Sequence, residues 1–188
     1  MYMKIAFAGK MGTGKTSATN FLSSIYTDSF NTSFAEPIYD ILNYAQKVTN
    51  QSKKKDRLFL QFIGTEWGRN IDQNLWINLL LDRTKNFSNH CFISDLRFSN
   101  EFKFLKENGW ICVLIERDNT EYNSILEERI GNGNVNHSSE NDLTNIPRKD
   151  WDFIIENNGS EREFQINLLT MCAQIKKTCI PISENCIN

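Results

Sequence analysis

The sequence predicts an α/β fold: a five-stranded parallel sheet flanked by helices, in a single domain spanning residues 1–188. Three observations carry that expectation. Short apolar runs alternate with stretches of helical spacing, the pattern of strand–helix–strand units. The first run leads directly into a glycine-rich turn and then into a helical pattern. Composition is the third, because 40% apolar and 23% charged residues suit one sizeable core, and no repeat, low-complexity tract or linker divides the chain.

Met3 to Ala8 is the first expected strand, Phe30 to Ala35 a weaker second, Cys91 to Ser94 a third, Ile111 to Ile115 a fourth and Phe153 to Ile155 a fifth. Thr16 to Tyr26 makes the first helix. Pro37 stands where a first helical residue belongs, since its fixed φ suits that position and its missing N–H would have no helical partner there. Ile38, Ile41, Leu42 and Ala45 follow at helical spacing. Leu58, Phe62 and Ile63 mark another helix, and Trp76, Ile77, Leu79 and Leu80 one more. Asn100 is expected to cap a helix that stops at Gly109. Ser160, with Glu163 three residues on, has the capping-box form and opens the last helix through Leu168, Leu169, Cys172 and Ile175. The helical insert, about residues 37–87, exceeds what a crossover between parallel strands needs, so it is expected to build a pocket.

Charge and cysteine usage narrow the function classes. With 21 Lys+Arg against 23 Asp+Glu the formal net charge is −2, which argues against a nucleic-acid or membrane partner held mainly by electrostatics. No run reaches transmembrane length, and Ile5 to Ala8 is broken at once by Gly9-Lys10, too short for a signal-peptide core. A cytoplasmic location is expected, that of the host cell for a viral protein. Cys91, Cys112, Cys172, Cys179 and Cys186 contain no Cys-x-x-Cys, and only His90 and His137 could join them, so zinc is not expected.

The strongest chemical signal is Gly9-Lys10-Met11-Gly12-Thr13-Gly14-Lys15-Thr16, followed by Ser17. It fits G-x-x-x-x-G-K-[ST] at every fixed position, after a strand and before a helix. Glycines let successive backbone N–H groups turn toward a polyphosphate, and the helix N-terminus adds partial positive charge. Lys15 would reach the β- and γ-phosphates, and Thr16 would hold Mg²⁺ through its hydroxyl. The third apolar run ends in Asp95, placed to orient the water shell of Mg²⁺, and Arg97 two residues on offers a guanidinium for a second phosphate. A guanine-reading Asn-Lys-x-Asp is absent, Asp95-Leu96-Arg97-Phe98 lacks the glycine of Asp-x-x-Gly, and a transporter signature loop is absent. Small size with a helical insert points to a small-molecule kinase. Within the insert, Lys53, Lys54, Lys55, Arg57 and Arg69 are available to phosphate, the lysine run reading better as a solvated helix start.

At this point the sequence resembles the deoxynucleoside monophosphate kinases of phages and large DNA viruses. The phosphate loop, Phe34-Ala35-Glu36-Pro37, the block from Arg57 to Arg69 with Trp76, and Ser94-Asp95-Leu96-Arg97-Phe98-Ser99-Asn100-Glu101 carry the resemblance in order. His137-Ser138-Ser139-Glu140 and Asn157-Asn158-Gly159 are a weaker fifth block. The resemblance implies a P-loop kinase fold and transfer of the γ-phosphate of ATP to a deoxynucleoside monophosphate (dNMP), with Mg²⁺, in a homodimer. By position it implies ATP contacts from the phosphate loop, metal contacts from Thr16 and Asp95, and acceptor-phosphate contacts from Arg69 and Arg97. Gln61, Glu66 and Trp76 fall in the block that should line the acceptor pocket. Two readings stay open for Glu140, nucleotide contact or helix cap, and for Trp76, pocket or core.

A lid is expected over about residues 117–137, where Arg117 and Arg129 flank the segment after the fourth strand and Gly131-Asn132-Gly133-Asn134 next to them reads as a flexible loop by composition. Closure would exclude water that would otherwise hydrolyse ATP. Because the acceptor is already anionic, the expected mechanism is in-line transfer with positioning and charge neutralisation by Lys15, Asp95, Arg97 and Arg117, and no strong base. Two alternatives stay open: a kinase of another small acceptor, such as a nucleoside or phosphorylated metabolite, and a non-catalytic ATP-binding switch.

Overall fold

In the computed structural model the described residues are 2–118 and 141–178. Their five strands are β1 (Lys4–Ala8), β2 (Phe30–Thr32), β3 (Cys91–Leu96), β4 (Ile111–Glu116) and β5 (Phe153–Glu156). All pair in parallel, in the order β2-β3-β1-β4-β5. Side chains alternate across a strand, so Ile5 and Phe7 face one layer with Phe92, Val113 and Ile115, while Ala6 and Ala8 face the other with Ile93 and Cys112. Helices cover both faces, as an all-parallel sheet requires. On the first lie α1 (Lys15–Ile25) and, as the last helix, Glu161–Thr178. On the second lie α2 (Glu36–Val48), the rest of the insert and the helix Ser99–Glu107.

The insert continues as α3 (Arg57–Gln61), a π-helical turn (Phe62–Trp67), α4 (Gly68–Ile71) and α5 (Leu75–Thr84). We number the helices Ser99–Glu107 and Glu161–Thr178 α6 and α7. The π turn was not visible in the apolar spacing. It takes up about one more residue than an α turn, which brings Trp67 round toward the outward face shared by Leu58, Phe62 and Ile71; all four are exposed.

Two sequence expectations change. The second strand ends at Thr32, because the amides of Phe34 and Ala35 donate to the Asp95 carboxylate, both at 2.9 Å, instead of continuing the ladder. Asn100 does not cap α6. It lies within the helix and its amide donates to Gln73 and Asn74 of the insert, while Glu101, at the third helical position, accepts the amides of Arg97 and Phe98 that precede the helix. The start of α7 follows the expected pattern, with Glu163 accepting from the Ser160 amide and hydroxyl. Cys91, Cys112 and Cys172 are buried, and burial pushes the first two thiols up to about 12. Cys179 and Cys186 lie outside the described residues.

Candidate active site

The carboxyl ends of β1, β3 and β4 converge on one edge of the sheet, where ligands of open α/β sheets bind. β1 delivers the phosphate loop. Gly9 has φ +141° and a Cβ there would stand 2.3 Å from the Ile115 carbonyl oxygen, while Gly14 has φ +105° and would meet the Asn157 amide at 2.7 Å. Only glycine fits either position. Asn157, at the end of β5, donates to the Thr13 carbonyl at 2.8 Å and clamps the loop from 144 residues away. Lys15 is 8% exposed, its ammonium bonded to the carbonyls of Gly9 (2.6 Å) and Lys10 (2.7 Å). Among the described residues no side chain caps α1, and its first turn holds no acid to offset the positive partial charge of the helix start. Thr16 and Ser17 are exposed at the start of that helix.

β3 delivers Asp95 and Arg97. Burial pushes the Asp95 carboxyl above its ordinary value, against the pull of the two amides, Arg97 and Lys15. Each Asp95 oxygen accepts one amide, and this carboxylate and the exposed Thr16 hydroxyl are the hard-oxygen groups that could hold a hydrated Mg²⁺.

Between β3, α2 and the insert lies a cavity of about 220 Å³ whose lining includes Gln61, Arg69, Trp76, Asp95 and Arg97. Trp76 settles between its two readings by satisfying both: it is 3% exposed, yet its ring lines the cavity. Its indole N–H donates to the Gly64 carbonyl at 2.7 Å, and Gly68 lets the ring pass so close that a Cβ would stand 2.3 Å from it. Arg69 pairs with Glu101, bonds Asn100 and Gln73 (3.2 Å each), and stacks over Phe98 at 3.5 Å. Its Nε is buried without a partner among the described residues. Glu101 is 2% exposed and accepts from Arg97 N (3.0 Å) and Phe98 N (3.1 Å); burial pushes its carboxyl up to about 7 against the pull of Arg69.

The structure places Glu66 away from this cavity. It is exposed and absent from this lining, as is Trp67, 44% exposed. Gln61, Thr65 and Arg69 recur every fourth residue and share the inward face, and Glu66 falls one residue off that row. A second cavity, about 510 Å³, lies on the other side of the phosphate loop and includes Lys10, Thr13, Arg97, Arg117 and Asn158 in its lining. Arg97 thus borders both cavities. Arg129, Glu140, His137 and the glycine-rich part of the expected lid lie outside the described residues. Sequence reasoning missed the Asn157 clamp and the Glu101 carboxylate; the placement of Glu101 three residues into α6 was the available signal for the second.

Phosphate loop, strand order and helical cover define the class: a P-loop kinase fold. Solved structures agree. A dephospho-CoA kinase from Campylobacter jejuni superposes with TM-score 0.56 at 16% identity, covering 95% of this chain and 99% of that one. A shikimate kinase from Acinetobacter baumannii gives 0.56 at 14%, covering 96% of each. No family model matches the chain. Among curated sequences, a protein of Acanthamoeba polyphaga mimivirus bearing the name "Putative deoxynucleotide monophosphate kinase" is 27% identical, over 88% of this chain and 94% of its own length. The chain is thus similar over most of its length to that viral protein and has the fold of P-loop kinases.

Proposed function

We propose that the protein transfers the γ-phosphate of ATP to deoxynucleoside 5′-monophosphates. The observation that carries the reading is a cavity lined by Arg69 and Arg97 beside a second cavity bordered by the phosphate loop, with Arg97 in the lining of both; in this reading each receives a phosphate. The similarity to the named mimivirus protein supports a dNMP as the acceptor.

In this reading the phosphate-loop amides and Lys15 hold the donor polyphosphate, and Lys15 exchanges its two carbonyl partners for phosphate oxygens. Thr16 would hold Mg²⁺ with Asp95 orienting its water shell, and the ion would supply further charge neutralisation. Arg97 and Arg69 position the acceptor phosphate, with Gln61 and Trp76 against the nucleoside. An acceptor oxygen forms a bond to the γ-phosphorus as the bond to the ADP oxygen breaks, and ADP leaves with that electron pair. The attacking oxygen is already anionic, so alignment and charge neutralisation suffice. Arg117 borders the donor-side cavity, where it would neutralise charge on the transferring group.

Of the insert's two tryptophans Trp76 is the one that lines the acceptor-side cavity and could discriminate the sugar, and we expect dNMPs to be preferred over the matching ribonucleotides. ADP release measured with ATP and a panel of dNMPs, NMPs, nucleosides and phosphorylated metabolites tests the assignment. Turnover strongest with one or more dNMPs is expected. Turnover only with another acceptor class, or nucleotide binding with no transfer at all, would contradict it.

A further inference from the structure

We propose that Arg57 is a further catalytic residue, contacting the phosphoryl group as it passes between donor and acceptor. The inference rests on the kinase reading above and adds a residue to it. Arg57 opens α3, whose start is fixed by Asp56 accepting the Phe59 amide at 2.9 Å. Its side chain lines the same cavity as Gln61, one turn on, and as Asp95 and Arg97 across from it. Its Nη2 lies 3.2 Å from the sulfur of Met11, 46 residues earlier in the chain, and Met11 sits in the phosphate loop between Lys10 and Gly12. The guanidinium therefore stands in the acceptor-side cavity at the seam where the insert meets the phosphate loop.

Its partner is the informative part. Arg69, Arg83 and Arg148 are each paired with a carboxylate. Among the described residues Arg57 has no carboxylate partner, and its one hydrogen-bond acceptor is a thioether. Guanidinium carries five donors in a fork that matches phosphate oxygens, whereas a thioether accepts weakly. A half-buried cation held by so soft a contact exchanges it for an anion at little cost. The anion that reaches this seam is the one in transfer, whose equatorial oxygens carry the charge while the bond to ADP breaks and the bond to the acceptor forms. Arg57 acts there together with Lys15 from the loop side and Arg97 from the strand side.

The test uses the full chain with Arg57→Met and Arg57→Lys. Steady-state kinetics with ATP and the preferred dNMP are joined to binding of a bisubstrate compound, adenosine and the deoxynucleoside linked through a polyphosphate. In Arg57→Met, kcat should fall by roughly a hundredfold, the scale of losing one preorganised charge-stabilising donor. Affinity for the bisubstrate compound should weaken by at least tenfold, while ATP alone and dNMP alone bind within about threefold of wild type. Arg57→Lys, which keeps stem and charge, guards against a folding defect and should recover part of kcat but not the fork. Unchanged kcat in Arg57→Met, or equal weakening of ATP alone and of the bisubstrate compound, would overturn the role at the seam. Wild-type protein that phosphorylates no dNMP would instead strike the acceptor assignment, so the two failures are distinct.

Discussion

In the proposed reading the phosphate loop and the acceptor-side cavity grip anions by opposite means. The loop uses backbone: nine consecutive residues, Gly9 to Ser17, with one buried ammonium, held in shape by glycines and by the long-range bond from Asn157 to Thr13. The cavity uses side chains from α2, the insert and β3, and these are held by other side chains, above all by Glu101, whose carboxylate joins Arg69 of the insert to the backbone at Arg97. A backbone cradle can be carried unchanged between proteins of differing substrate. A side-chain cavity can be retuned one residue at a time. On the proposed function the acceptor half is where specificity would reside, and it should be separable from ATP binding by mutation.

The largest effect should come from the loop. Lys15→Met removes the charge that reaches the transferring phosphate, and kcat should drop by about two to three orders of magnitude with the melting temperature nearly unchanged. Near-normal turnover would remove the loop from the chemistry.

Gly68→Ala breaks the other half. The added Cβ meets the Trp76 ring at 2.3 Å and the Ile63 carbonyl at 2.9 Å, so either the indole or the π turn must move. Overpacking of this kind costs about 1–3 kcal/mol, and we expect it to appear as a KM for the acceptor roughly tenfold to hundredfold higher, with the KM for ATP unchanged. Equal loss on both substrates would show that the halves are not independent.

Phase and distance explain which parts of this arrangement were legible in the sequence. The loop was, because its chemistry sits in consecutive residues between an apolar strand and a helix. Asp95 and Arg97 were placed by the end of an apolar run. The Asn157 clamp was not, because nothing local relates residues 144 apart, and Asp95's hold on Phe34 and Ala35 is equally long-range. Within the insert the block of residues was found but not its phase: counting from Gln61 by fours reaches Thr65 and Arg69, and would have set Glu66 outside the cavity. The π turn is a tertiary accommodation around Gly64 and Trp76, invisible to apolar spacing.

The smallest effect is a pH dependence seated in Glu101. Its carboxyl is raised from 4.5 to about 7 in the fold, burial outweighing Arg69. The folded state therefore holds the proton more tightly, and this contribution to stability is fully present below about pH 4.5 and lost as the pH rises through about 7. Glu101→Gln removes the titration. Chemical denaturation from pH 4 to 8 should show the wild type losing stability relative to Glu101→Gln across that window, by at most about 3 kcal/mol. A constant difference across the range would mean that Glu101 stays ionised throughout.

The separation of the two halves is tested most directly by the kinetics of Arg69→Lys and Arg97→Lys, with ATP and dNMP varied independently. Lysine keeps the charge but not the planar fork. The account predicts that acceptor KM rises by tenfold or more in both variants, while the KM for ATP stays within about twofold of wild type. Acceptor KM unchanged in both, or a parallel rise for ATP and acceptor, would contradict it.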